Sequence, residues 1–561
     1  MKKILTLLLA LWMLTGCVAM AAGNQLVVGS TTAMSGAFFT DLFGSNTADM
    51  DVRALLHGYN LMSWDHETGT YQINDSVVAG MAVSKDAQNN RVYTFDLYGD
   101  LKFSDGSAIT AKDYAFSILL TASPELAKLG GQSAAVGAIL GMDAYQSGKS
   151  SVLRGVRLLS DTQMSITISK AYEPYFYEMA LFDYSPYPIS VLAPGCKVVD
   201  TEKGVGIVNA SGTGAAIFTA ALLQKTILDA ATGYMSHPSV VSGPYTLTSY
   251  DAQSGTASFA INPYYKGNED GEKPTIETIV YRTVANDEAI DLLLSGEVDL
   301  LNKMVAADTI SKGIQSTADQ PFSVANYPRS GLSMISFSCE RQTVSGKAVR
   351  QAIASCFDRD ALVKAYTGNF GLKANGYFGI GQWMYQLAAG TIQPPVVDLP
   401  ANATAKETAA YEKTVAQWDA LSLDKLKDYP LDLDQATKLL DQDEWRIGKD
   451  GIRAKKIDGK TVALDLTLIY PEGNAVGDAL NATLAENLAA IGVRLTVKAV
   501  PMNELLDIYY RRVARDCDMI YLATNFSTLF DPSATFDPSD AFQGVNNRTG
   551  IADDELYQLA V

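Results

Sequence analysis

Between Arg91 and Ala122 the apolar period changes from two residues to 3.6, and a single Asp-Gly pair stands at the change. Tyr93, Phe95 and Leu97 alternate along "RVYTFDLYGD", as on one face of a strand. Asp105-Gly106 then supplies a turn, because glycine tolerates positive φ at little cost. Thr110 stands at an N-cap position, with Asp113 three residues later at capping-box spacing. Behind it Ala111, Tyr114, Ala115, Ile118, Leu119 and Ala122 repeat as one helical stripe. Taken alone, the segment reads as a capped surface helix on an α/β domain.

The same alternation recurs along the chain. "QLVVGST" (Gln25 to Thr31) reads as a buried first strand, followed by the loop "TAMSGAFFTDLFGSN". "TQMSITIS" sets Met164, Ile166 and Ile168 against Ser165, Thr167 and Ser169, which predicts a half-buried strand. "TASFAINPYY" reads as a strand that stops at Asn262-Pro263. Strand and helix alternate again from near Lys273. "TIETIVYRTV" is a strand, and "NDEAIDLLLSGEVDLL" is a helix with Asn286 as cap and Gly296 near its end. Val349, Ala352, Ile353, Cys356 and Phe357 form one stripe, and Asp358 can cap the next helix. Residues 388–429 are rich in Ala, Pro and charge and read as an insertion. Leu480, Leu484, Leu488 and Ile491 align on a helix that Gly492 ends. The pattern predicts an α/β lobe with a mixed sheet and no solenoid repeat.

At 561 residues and 47% apolar content the chain can bury a large core, in more than one domain. Its net charge of −18 argues against a nucleic-acid partner, which would need basic patches. Lys2 and Lys3 followed by "ILTLLLALWML" read as the start of an export signal. "LTGC" then resembles a bacterial lipobox, with Cys17 as the lipidated first residue; ordinary cleavage after Ala19-Met20-Ala21 is the alternative. Cys196, Cys339, Cys356 and Cys517 are too sparse and too irregular for a disulfide framework.

Catalytic patterns are missing. His57, His66 and His237 form no metal-ligand spacing. "GQSAA" at Gly131 lacks the closing Gly of a nucleophile elbow. "GKS" at Gly148 and "GKT" at Gly459 lack the leading Gly of a P-loop. Neither an enzyme nor a cofactor or metal is expected.

Several segments together resemble the family 5 extracellular solute-binding proteins, the oligopeptide- and dipeptide-binding components of ABC importers. They are "LLHGYNLMSWDHETGTYQ", "VYTFDLYGDLKFSDGSAITAKDYAFS", "SGPYTL" with "NPYYKG", "AIDLLLSGEVDLL" and "VRQAIASCFDRDALV", in that order. The resemblance implies an α/β, two-lobed periplasmic-binding-protein-like fold of the class II, cluster C type, with an extra subdomain in lobe one and the ligand enclosed by the lobes. The divisions it suggests are a signal peptide with lipobox over 1–23, lobe one over 24–56 and 171–285, and the extra subdomain over 57–170. Lobe two follows over 286–530, with the insertion near 388–430, and a return to lobe one begins over 531–561. That return resembles the family's penultimate helix region, so the chain is expected to stop short of the family's usual end.

The implied function is capture of a peptide or other small solute and its delivery to ABC permease subunits. An exported monomer is expected, either periplasmic or held at the membrane by its lipid anchor. A non-peptide solute such as a glycoside or metal chelate, or a sensor role without transport, are the alternatives. In the family the loop after the first strand and the loops of lobe two face the ligand. Here those carry Ser35, Phe38 and Phe39, then Trp383, then Asn525, Phe526 and Thr528, aromatic faces beside small polar groups. Peptide-binding relatives place an Asp three residues before the acidic-Pro turn, to meet the peptide's amino terminus. Counting back from Asp531-Pro532 reaches Thr528, whose hydroxyl cannot supply that charge-assisted bond. Either another carboxylate serves, or the register differs, or the ligand lacks a free amino terminus.

Overall fold

The computed structural model describes residues 24–560 apart from 45, 66–69, 132–136, 173–177, 318–320, 393–398, 400–402, 475, 527–529, 531, 540–542 and 544–545. The chain divides into two compact units, Met1–Met304 and Val305–Val561.

In the first unit a five-stranded sheet runs in the order Tyr245–Asp251, Thr256–Ile261, Thr278–Thr283, Gln25–Ser30, Leu300–Asn302. The first strand pairs in parallel with both of its neighbours. Because Leu300–Asn302 completes this sheet, the unit extends to Met304 and not only to residue 285. The helix before that strand spans Ala289–Ser295. Glu288, not Asn286, is its N-cap, and the Glu288 side chain makes no capping hydrogen bond.

A four-stranded antiparallel sheet lies in the same unit, in the order Val78–Lys85, Arg91–Leu97, Gln163–Ile168, Val156–Leu158. Tyr93, Phe95 and Leu97 are buried, as their alternation predicts. Gln163–Ile168 differs from expectation. Ser165 and Thr167 are only 5% and 8% exposed, beside fully buried Met164, Ile166 and Ile168. The strand is interior to its sheet and covered on both faces, so the serine and threonine are buried with the apolar positions.

The corner after this sheet has the expected construction. Gly106 adopts φ +85°, and the Asp105 carboxylate accepts from the Ser107 amide and hydroxyl at 2.9 and 2.6 Å. Thr110 caps Ala111–Thr121, and Asp113 accepts from the Thr110 amide at 2.8 Å to close the capping box. A Cβ at Gly106 would also sit 3.0 Å from the Tyr264 ring. Gly106→Val is therefore expected to cost about 2 kcal/mol, since a β-branched residue is strained at positive φ. Urea unfolding checks this, and an unchanged midpoint would refute it.

The second unit is built on a mixed sheet in the order Gly331–Phe337, Met519–Asn525, Asp465–Pro471, Arg494–Val500. The first pair is antiparallel and the others parallel. Val349, Ala352, Ile353 and Cys356 of Lys347–Cys356 pack into its core with Leu480, Leu484 and Leu488. The latter three come from one helical run, Val476–Leu480, Asn481–Ala485 and Glu486–Ala490, with a π-turn in the middle. Gly492 follows it at φ +80°. Asp358 caps Arg359–Thr367 by accepting from the Ala361 amide at 2.9 Å. The 388–429 insertion carries a helix of its own, Ala405–Asp419, none of whose residues is buried.

Candidate functional site

In the first unit the loop after the first strand is pinned to the helix Thr47–Leu56. Asp49 sits at the third position of that helix, in a capping box with Asn46. Its carboxylate also accepts from the Ser35 amide at 2.8 Å, the Ser35 hydroxyl at 2.6 Å and the Gly36 amide at 3.2 Å. Further along the helix, Arg53 donates to the Ala37 carbonyl at 2.8 Å, and the His57 Nε2 lies 3.0 Å from the Phe38 carbonyl. That nitrogen must carry the proton, since a carbonyl only accepts. Burial among Phe39, Tyr187 and Tyr234 pushes the imidazole down from 6.5 to about 4.

Three of the sequence-derived contact residues stand on this loop, with different fates. Ser35 is exposed, and its hydroxyl is engaged by Asp49. Phe38 is 0% exposed and meets Tyr250 edge-on at 4.6 Å. Phe39 is 3% exposed and meets Tyr187 and Tyr234 at 4.7 and 4.9 Å. Both phenyl rings thus pack the loop onto its own unit and present no open face.

In the second unit the strand Met519–Asn525 delivers Asn525 and Phe526 to the end of the sheet. Asn525 is exposed, and its Oδ1 accepts from Arg329 Nη2 at 2.9 Å. The Phe526 amide donates to the Ser330 carbonyl at 3.1 Å. The same 328–331 segment is crossed by the loop that leads to Trp383. There the Gly381 amide donates to the Arg329 carbonyl at 2.7 Å. The approach is possible because the crossing residues are glycines: a Cβ on Gly379 would lie 2.4 Å from the Ser330 carbonyl carbon, and one on Gly381 2.4 Å from the Pro328 oxygen. Trp383, half-buried, then opens the helix Trp383–Ala388.

One short segment therefore joins Trp383's loop to Asn525 and Phe526. An aromatic cluster adjoins them. Tyr377 meets Phe526 at 4.9 Å and Phe536 at 5.7 Å, and Phe526 meets Phe530 at 5.0 Å. Arg329, Tyr377, Phe530 and Phe536 were not anticipated. The glycines and aromatics of "GYFGIGQW" (Gly376 to Trp383) were the available sign of a close backbone crossing. Thr528 and Cys17 lie outside the described residues.

Gly381→Ala is expected to push this crossing apart, because the added methyl meets backbone and not the end of a flexible side chain. If the patch holds ligand, affinity should fall about 10-fold or more, a loss of ~1.4 kcal/mol. Calorimetric titration of folded variant and wild type with the same solute checks it; equal affinities would separate the patch from binding.

The model of the bacterial extracellular solute-binding proteins, family 5 Middle, matches residues 76–547. The oligopeptide-binding protein OppA of Lactococcus lactis subsp. lactis (strain IL1403) is 26% identical over 450 residues, which cover 76% of this chain and 62% of that protein. The match thus spans less than two thirds of that relative's length. Among solved structures, lactococcal OppA complexed with an endogenous peptide in the closed conformation superposes with a TM-score of 0.68 at 19% identity, covering 96% of this chain and 88% of that one. The oligopeptide binding protein from Thermus thermophilus complexed with pentapeptide gives 0.64 at 19% identity, covering 96% and 85%. These likenesses establish the two-lobed α/β fold.

Proposed function

This chain belongs to the bacterial extracellular solute-binding proteins of family 5, and we propose that it captures peptides outside the cytoplasm and hands them to an ABC permease. The family match over residues 76–547 is the observation that carries the reading. Such a protein works by binding, not by catalysis. A ligand that contacts both lobes in only one conformation shifts the population toward it, and that conformation is the one a permease can recognise.

The proposed contacts are Ser35 on the first lobe, and Trp383, Asn525, Phe526 and Thr528 on the second. Phe38 and Phe39 act one layer back, by fixing the loop that carries Ser35. Aromatic edges and faces beside an exposed amide suit a peptide, whose side chains need apolar cover and whose backbone needs donors and acceptors. Titration with an oligopeptide mixture should change tryptophan emission, and Trp383→Phe should remove most of that change although four of the chain's five tryptophans remain. An identical response in Trp383→Phe would take Trp383 out of the site. No response and no heat with any peptide would overturn the peptide reading.

Cys17 is proposed as the lipid anchor. Its acyl chains would retain at an anionic membrane a chain whose strongly negative net charge, −18 over the full sequence, gives it no electrostatic reason to stay. Cys17→Ser should move the protein from the membrane fraction to the soluble one. A native chain beginning at Ala22 without lipid would contradict it.

A further inference from the structure

In the first unit the strand Gly204–Asn209 lies between Cys196–Thr201 and Val152–Leu153, and its two neighbours cover it unequally. All its residues pair with Cys196–Thr201, but only Val205 and Gly206 pair with the short strand. Alternate residues of an antiparallel strand bond to opposite sides. The Ala210 amide donates to the Gly195 carbonyl at 2.7 Å in register with the longer ladder, so Gly204, Gly206 and Val208 bond on that side. Ile207 and Asn209 therefore direct their N–H and C=O groups to the other side, where Val152–Leu153 does not reach them.

A groove of about 800 Å³ runs along this open stretch. Ile207, Val208 and Asn209 line it from the strand, and Ser150 and Ser151 from the chain that enters the short strand. The Ser150 hydroxyl donates to the Val152 carbonyl at 2.6 Å. Asn209 itself holds the opposite wall. Its Nδ2 donates to the Thr213 and Ala215 carbonyls at 3.0 and 2.7 Å, and its Oδ1 accepts from the Ile217 amide at 2.9 Å. Among the described residues that line the groove only Glu125 and Lys128 are charged, and they meet each other at 2.5 Å. The Glu125 carboxylate also accepts from the Ala220 amide at 2.9 Å. The groove thus offers main-chain donors and acceptors, apolar cover from Ile207, Val208 and Phe218, and no unbalanced charge. Sheets ordinarily pair, cover or charge such an edge. An open main-chain edge is complementary to another main chain, and a neutral lining to an uncharged one.

We propose that this groove is a second peptide site, in which an extended, uncharged peptide adds as a strand beside residues 207–209. It is separate from the contacts proposed above, none of which lies within residues 123–218.

The test measures hydrogen exchange of the full chain at single-amide resolution, with and without a pentapeptide of alternating Val and Thr blocked at both ends. The Ile207 and Asn209 amides should slow about 10-fold, the protection given by nine-tenths occupancy. Val208, already bonded within the hairpin, should change little; equal slowing of all three would mean general stabilisation and overturn the proposal. The same peptide methylated on its amide nitrogens should give no protection, since it cannot donate to the edge. Ile207→Pro removes an N–H that faces the groove and none that holds the hairpin. Ala216→Trp fills the groove from its loop wall. Both should abolish the slowing at Asn209. Undiminished slowing in folded Ala216→Trp, or no slowing in wild type with peptide at about 1 mM, overturns the site. Protection confined to Asn525 and Phe526 overturns the groove and leaves the peptide reading of the candidate site intact. Protection at Ile207 and Asn209 alone upholds the groove and counts against that reading.

Discussion

Asp518→Ala is expected to destabilise the second unit by about 2–3 kcal/mol, the cost of removing a buried carboxylate that satisfies two hydrogen-bond donors and a partly exposed arginine. Asp518 is 1% exposed at the start of the central strand Met519–Asn525. Its carboxylate accepts from Arg341 Nε at 2.8 Å, from the Thr343 hydroxyl, and from the Thr467 amide at 2.8 Å. Alanine leaves the Thr467 donor without an acceptor and the Arg341 charge without its partner. The strand that loses this anchor is the one that presents Asn525 and Phe526, so stability and the candidate site are coupled here. Urea unfolding followed through Trp445, which is buried in the same unit, measures the loss. A change below ~1 kcal/mol would mean that the network is dispensable.

The second large effect is concealed in the wild type. His57, lowered from 6.5 to about 4 by burial, binds a proton more readily in the unfolded chain. Its contribution is present above pH 6.5 and is lost as pH falls through about 4, roughly 3 kcal/mol in all. Asp113 does the reverse. Burial raises it from 3.8 to about 6, so its contribution is fully present below pH 3.8 and is lost as pH rises through about 6, again roughly 3 kcal/mol. The slopes oppose each other across the same window, and the first unit should be nearly level in stability from pH 6 to pH 4. Asp113→Asn should expose the His57 limb, with stability falling as pH falls from 6.5 to 4. His57→Gln, whose amide can still donate to the Phe38 carbonyl, should expose the other limb, with stability rising over that range. Hydrogen exchange within the first unit, in urea at a series of pH values, separates the limbs. Two variants as level as wild type would contradict the account.

What could be read from sequence was what neighbouring residues decide among themselves. The Gly106 turn, the Thr110–Asp113 box and the Asp358 cap are contacts within three residues, and each formed as expected. The Leu480, Leu484 and Leu488 stripe was equally legible because one helix carries it. Covering by distant chain was not legible. Nothing in "TQMSITIS" says that both faces of the strand will be buried, or that Leu300–Asn302 will return to the first strand and extend the first unit. The same limit governed the candidate site. Phe38 and Phe39 have the composition of a binding loop, and only the positions of Tyr250, Tyr187 and Tyr234 reveal that they face inward. Arg329 meets Asn525 across 196 residues of sequence, a distance over which local pattern carries no signal.

The central claim is that this family 5 protein takes peptides. Native mass spectrometry of the full chain, purified without denaturation, followed by acid release and sequencing of whatever it carries, tests this most directly. The account predicts a mixture of short peptides, replaced by synthetic peptide on incubation. A glycoside or metal chelate in their place, with no peptide able to displace it, would contradict the claim.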